Sequence, residues 1–481
     1  MRRSRSLLLL IALCAFTVVL VISVGGQSRQ PVELVVTGGT VVTMNSSGQV
    51  IPDGAVAIDG GRILAVGTSA DIARFFEAQE TIGVREQHQV ILPGLINTHT
   101  HAPMVLFRGL ADDYALAEWL TKYIFPAEAK TVSADFVRIG TRLAALEMIE
   151  SGTTTFADMY YFEDDIAAAT REMGMRAVLG QSVIKFPVGD AKTPEEALIR
   201  AEAFIARWHA DPLITPAVAP HAPTTVEPAT LKAARALANK YGVPLLIHLA
   251  ETRDEVKAVQ AARGATPTQY LESLGLWEGR SLAAHAVWLD DADMKTLARR
   301  KVGVAHNPES NMKLASGIAA VPKWIDAGML AGLGTDGAAS NNDLDMFEAM
   351  RMAALLQKIG TMNPQAMPAR QALELATRRG AEALGMGAQI GSLEPGKQAD
   401  LITVSMEGAR QTPMFDPISH LVYVSRGDDV RTVIVAGEVL MRNRRLTRQD
   451  VIRDRILSDA RAMAEQVRMA VMPQAPAGKG K

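Results

Sequence analysis

Between about residues 93 and 390, short apolar runs alternate with helical patterns, and few architectures accommodate that alternation. The strand-like runs lie at 92–97, 153–158, 176–180, 214–219, 244–249, 281–286, 303–306 and 330–335. Helix-like stretches such as 135–151, 194–209, 228–241 and 291–300 separate them. Eight strands alternating with helices predict an α/β fold whose parallel sheet closes into a (β/α)8 barrel.

Both flanks of this middle are β-rich. Short runs at 32–36, 40–44, 55–59 and 62–66 are punctuated by Gly38-Gly39 and Asp59-Gly60-Gly61, which read as turns. The same style resumes over 391–449, with runs at 430–435 and 438–442. The economical reading is one small β-sandwich domain built from both chain ends. The expected divisions are 1–30 as a signal peptide or membrane anchor, 31–92 and 391–449 as the two sandwich parts, 93–390 as the barrel, and 450–481 as a terminal helix and frayed tail. Arg2, Arg3 and Arg5 precede an apolar run from Leu7 to Val24. That order of a basic and then an apolar segment is the pattern of export signals, so an extracytoplasmic protein, released or tethered, is expected.

The formal net charge of −2 and the 5% aromatic content give no basic footprint and no stacking platform for nucleic acid. The single cysteine, Cys14, falls in the apolar leader. Any metal in the folded chain therefore relies on His, Asp and Glu.

The sequence has nine histidines. Thr-His-Thr-His at 98–101 closes the first barrel run. On a strand, side chains alternate between faces, so His99 and His101 point the same way and can chelate one ion. Barrel enzymes keep their chemistry at the C-terminal ends of the strands. Further polar residues end later runs in the same manner: His248 after Pro-Leu-Leu-Ile, with Glu251 just beyond, His285 after Leu-Ala-Ala, and Asp336 after Leu-Gly-Thr.

Five segments carry a resemblance over about 31–450. They are Pro-Gly-Leu-Ile-Asn-Thr-His-Thr-His-Ala-Pro-Met at 93–104, His-Leu-Ala-Glu-Thr at 248–252 and Ala-Ala-His-Ala-Val-Trp-Leu at 283–289. The others are His-Asn-Pro-Glu-Ser-Asn-Met-Lys-Leu at 306–314 and Gly-Thr-Asp-Gly-Ala-Ala-Ser-Asn-Asn at 334–342. In these the chain resembles the amidohydrolase superfamily, within it the branch of S-adenosylhomocysteine/5′-methylthioadenosine deaminases and chlorohydrolases. The resemblance implies that His99, His101, His248 and Asp336 bind one divalent metal, zinc or iron(II). It implies that Glu251 carries a proton to a ring nitrogen, that His285 stabilises the attacking oxygen, and that Asp336 is also the base. It further implies substrate contacts from Trp119, Glu128 and His221. Lys185 occupies the interval where binuclear relatives carry a bridging lysine, but Phe-Pro follows it and a surface position is expected.

The pattern departs at one point. The adenosine-type relatives place an arginine shortly after the third strand, facing the carboxylate of a homocysteine tail. Here that place holds Gly180 and Gln181, and Arg176 comes too early to replace it. The expected activity is hydrolytic deamination of an aminated heteroaromatic base or nucleoside. The alternative is hydrolysis of a cyclic amide or a C–Cl bond on a heterocycle. The expected partner is a small heterocycle, with the membrane involved only through residues 1–30; a homo-oligomer is compatible with the sequence.

Overall fold

A computed structural model describes residues 28–85, 88–448 and 452–471. The leader at 1–27 and the tail beyond 471 lie outside the described residues. Among the described residues no helix is long and apolar enough to cross a membrane.

Eight parallel strands follow one another around the barrel: Leu95–Thr100, Thr153–Tyr160, Arg176–Val183, Ile214–Pro220, Leu245–Leu249, Ser281–His285, Gly303–His306 and Leu330–Leu333. Each pairs with its neighbour in sequence order, so every crossover is the same βα step. The ring is nearly closed between its last and first members. There the Asp336 N–H donates to the His99 carbonyl at 2.9 Å. Asn97 Nδ2 donates to Thr335 Oγ1 at 2.7 Å, and the Thr335 N–H donates to Asn97 Oδ1 at 3.1 Å. A Cβ on Gly334 would stand 2.8 Å from His99 N and 2.5 Å from Asn307 Oδ1, so only glycine permits this close approach.

The first expected barrel run, 92–97, divides in two. Gln89–Pro93 belongs to the other sheet, and Leu95–Thr100 opens the barrel. Gly94 is the hinge between them, held by its N–H to the Asp400 carbonyl at 3.0 Å. The histidine pair thus sits at the C-terminal end of the first strand.

The second sheet has nine strands drawn from both chain ends. Gln89–Pro93 lies at its centre, parallel to Gln30–Val42 and antiparallel to Leu401–Ser405. Leu34, Val56, Ile91, Leu401 and Ile434 bury one shared core, which fits a β-sandwich. The runs 32–36 and 40–44 prove to be a single strand, Gln30–Val42. Gly38, at φ +90°, shifts the register there instead of reversing the chain. The strand Phe76–Gly83 was not expected. It reads Phe-Glu-Ala-Gln-Glu-Thr-Ile-Gly, and its exposed polar positions conceal it.

The helix Arg453–Val471 packs back on the barrel, with Arg453 Nε 2.7 Å from Glu150 Oε1. Arg176 stands at the start of the third strand, at the end of the barrel remote from the histidines. It is buried with Asp400, with Nε to Oδ2 at 2.8 Å. It is a tie between barrel and end sheet.

Candidate active site

At the C-terminal mouth of the barrel, four groups converge. The Nε2 atoms of His99 and His101 each lie 3.3 Å from Asp336 Oδ1. The Nε2 atoms of His101 and His248 are 3.3 Å apart. His101 Nδ1 is 2.7 Å from the Met159 carbonyl, and His248 Nδ1 is 2.7 Å from the His221 carbonyl. A carbonyl only accepts, so each Nδ1 carries the proton and each Nε2 presents a bare lone pair to the centre.

Burial drives the His99 imidazole down to about 4 and pushes His101 and His248 below the usual histidine range as well. All three are therefore neutral near pH 7. Burial alone would raise the Asp336 carboxyl, but His99, His285 and His101 together hold it well below the carboxylate range. Two facing imidazole lone pairs beside a carboxylate repel unless a cation lies between them. The donor set of three neutral imidazoles and one carboxylate fits a catalytic zinc site that keeps a place for water.

Two backbone features set these groups. His285 and Asp336 both adopt left-handed conformations, at φ +71° and φ +64°. Such conformations are costly for non-glycine residues and concentrate at functional sites. Hydrogen bonds then fix the side chains. His285 Nδ1 is 2.9 Å from Asn311 Oδ1. Ser310 and Ser340 donate to Asp336 Oδ2 at 2.7 and 2.8 Å.

Glu251 lines the cavity beside this centre, its Oε2 3.9 Å from His285 Nε2. Burial lifts its carboxyl to about 7. The turn that carries it is clamped by Glu255, which accepts the N–H groups of Ala250 and Glu251 at 3.0 and 2.8 Å. Thr252 caps the following helix Arg253–Arg263.

The cavity holds about 680 Å³ and contains the other expected residues, a size that suits a small organic ligand. Trp119 opens a wide π-helical turn, Trp119–Ile124, and is buried on the cavity wall. One turn of ordinary helix later, Glu128 lies buried, with the Tyr160 hydroxyl donating to its Oε1 at 2.7 Å. Burial raises Glu128 to about 7. His221 holds Nδ1 2.8 Å from Thr225 Oγ1, and burial lowers it to about 3.

Lys185 is exposed and donates to the Thr224 carbonyl at 3.0 Å, outside the histidine cluster. Gln181 is buried and donates to Asp190 Oδ2 at 2.9 Å. Sequence reading missed Tyr160, Glu255, Ser310, Asn311 and Ser340. Of these, Glu255 had a local signal, since Thr-x-x-Glu at 252–255 is a helix-capping pattern.

Comparison with known proteins agrees with this arrangement. The model of the amidohydrolase family matches residues 90–440, and that of the bacterial imidazolonepropionase-like composite domain matches 54–76. A 5-methylthioadenosine/S-adenosylhomocysteine deaminase of Syntrophobacter fumaroxidans is 48% identical, covering 92% of this chain and 100% of its own. A 5′-deoxyadenosine deaminase of Methanosarcina acetivorans is 44% identical, over 90% and 98%. The crystal structure of an adenosine deaminase from Xanthomonas campestris with bound zinc superposes at a TM-score of 0.89. It is 39% identical and covers 92% of this chain and 100% of its own. Atrazine chlorohydrolase TrzN from Arthrobacter aurescens, complexed with zinc, gives 0.82 at 26% identity, over 90% and 100%. The chain belongs to the amidohydrolase family and is a metal-dependent hydrolase of carbon–nitrogen bonds.

Proposed function

We propose that the protein deaminates a 6-aminopurine nucleoside whose 5′ group is small and uncharged, with His99, His101, His248 and Asp336 holding one zinc ion. The observation that carries this reading is a single cavity with two buried carboxyls poised near neutrality, Glu251 beside His285 and Asp336, and Glu128 beneath Tyr160.

A divalent cation in this donor set supplies Lewis acidity toward water near neutral pH. Glu251 retains a proton up to about pH 7. It gives that proton to the ring nitrogen next to the amino-bearing carbon, which makes the carbon electrophilic. Asp336 takes one proton from the attacking water and passes it to the departing amine, while the hydroxyl proton left on the tetrahedral adduct returns to Glu251, so that ammonia leaves, the carbonyl forms and both carboxyls are restored. Burial works against a charged His285, yet Glu251 and Asp336 raise its basicity overall, so it is suited to stabilise negative charge on the attacking oxygen. Each positioned proton transfer contributes roughly 10²–10⁴-fold. Glu128, when ionised, accepts from the two ribose hydroxyls, a demand that a free base or a triazine does not make. Trp119 and His221 bound the substrate on the wall.

The 5′ preference rests on charge. Gln181 is tied to Asp190, and Arg176 to Asp400. Among the described residues that line the cavity, Arg253 is the one arginine or lysine, stacked on Trp288 at 4.1 Å. A homocysteine carboxylate would therefore have only this one cation to meet.

The test is ammonia release by zinc-loaded protein. Turnover of adenosine, methylthioadenosine or 5′-deoxyadenosine, each with a higher kcat/KM than S-adenosylhomocysteine, is expected. Turnover of a chlorotriazine or cyclic amide with none of the nucleosides would favour the alternative, as would two zinc ions per chain. Export is also proposed, on the basic and apolar order of residues 2–24. Native protein recovered from the cytosol with its first 25 residues intact would overturn it.

A further inference from the structure

Behind the catalytic wall lies a second group of convergent oxygens. Glu309 sits in the short helix Pro308–Lys313 that follows the seventh barrel strand. Asp343 and Glu348 come from the loop after the eighth strand and the first turn of the helix Met346–Thr361. One carboxylate oxygen from each lies within 4.8 Å of the other two. Glu309 is 9% exposed, and both of its carboxylate oxygens are buried without a hydrogen-bond partner among the described residues. Asp343 is half-buried and Glu348 exposed, so the group opens to solvent on one side.

Among the described residues no cation is paired with this group, whose charged neighbours are acids. Lys313 is committed to Asp112 and Asn342, each at 2.6 Å. Arg108 is paired with Glu147. Asp345 adds negative charge, with its own oxygens accepting from the Phe347 and Gly427 N–H groups. Burial pushes Glu309 well above the carboxyl range and Asp343 up to about 7, and the neighbouring acids add to both shifts. A buried acid with two orphaned oxygens costs free energy unless a proton or a cation meets it.

We propose that Glu309, Asp343 and Glu348 form a second, structural cation site that takes a hard divalent ion such as calcium. The donors are all carboxylate oxygens, which suit calcium, magnesium or manganese and not the imidazole-rich zinc position. The ion would join the segment after the seventh strand to the segment after the eighth. The residues that follow Glu309 are Ser310, bonded to Asp336, and Asn311, bonded to His285. The site therefore braces the helix that orients both groups, and its role is positioning.

The test uses full-length, zinc-loaded protein and calcium as the probe. Calorimetric titration is expected to give one calcium per chain. Saturating calcium is expected to raise Tm by roughly 3 °C. Glu309→Gln keeps the shape of the side chain and is expected to abolish both responses while leaving zinc content at one per chain. Asp343→Asn serves as the second variant if the first does not fold. The site does not exist if wild type shows no uptake and no Tm change with millimolar calcium, magnesium or manganese, or if Glu309→Gln binds calcium as wild type does. In the first case Glu309 is simply a buried, protonated acid. Because the readouts are binding and Tm, they stand whether or not the deaminase reading holds.

Discussion

The Tyr160 hydroxyl, at 2.7 Å, is the sole hydrogen-bond donor to the Glu128 carboxyl group among the described residues. Burial already lifts Glu128 to about 7, and this bond works against that rise. On the proposed reading, nucleoside binding needs the ionised carboxylate. KM is therefore expected to increase as pH falls below 7, with kcat less affected. In Tyr160→Phe the carboxyl moves further up, and the pH at which KM begins to climb shifts upward by about one unit, equivalent to about 1.4 kcal/mol. An unshifted KM profile in this variant would remove Glu128 from the substrate site.

Glu251→Gln keeps the hydrogen-bonding shape and loses the transferable proton. Its kcat for nucleosides is expected to fall about 10²–10⁴-fold, while zinc content and inhibitor binding by a purine riboside stay near wild type. Raising pH above 7 in the wild type deprotonates the same group, so kcat/KM should decline on the alkaline side.

Asn311 touches the His285 ring, its Oδ1 2.9 Å from Nδ1, and on the proposed reading acts through it. Asn311→Ala is expected to lower kcat about 10–100-fold, the range seen when partners of metal-site residues are removed. KM should change little, and Asn311→Asp should recover part of the loss.

Proton competition for the metal should be weak near neutrality. Burial holds His99 at about 4 and pushes His101 and His248 down, so each is already deprotonated when the ion arrives. Zinc is expected to survive dialysis at about pH 6.5, where a free imidazole is half protonated, and to leave only at lower pH. Removal by a chelator at neutral pH should abolish activity and lower Tm, and both should return with added zinc.

The Arg176–Asp400 pair, buried and 2.8 Å apart, makes a contrasting case. Asp400→Ala leaves a guanidinium unpaired in the interior and is expected to cost about 3–5 kcal/mol of stability by denaturant titration. The ratio of kcat/KM between S-adenosylhomocysteine and methylthioadenosine should not move, because this arginine faces the end sheet and not the cavity.

Much of the molecule was legible in the chain, for a physical reason. Barrel strands are short apolar segments, and a lone histidine or aspartate at the end of such a segment stands out. His99, His101, His248, His285 and Asp336 were found in that way, and all five meet at one mouth. The residues that hold them were not found. Ser310 and Asn311 sit in a polar run whose partners come from other strands, and Tyr160 is one of several buried aromatics. Their roles depend on contacts between distant segments, which no local pattern encodes. Phe76–Gly83 escaped because an exposed edge strand has no need of apolar alternation.

The pairing of Gln89–Pro93 with Leu401–Ser405 governs when the metal centre can exist. Gln89–Pro93 leads through Gly94 directly into the strand that ends at His99, and one of its two neighbours is Leu401–Ser405. During synthesis the first two zinc ligands emerge early, but the strand that sets the position of their backbone emerges late. A nascent chain stopped before Leu401 carries every histidine of the centre and Asp336 without the support that aligns them. Zinc loading is then a property of the finished chain, and a C-terminal truncation far from the active site should be read out first as lost metal.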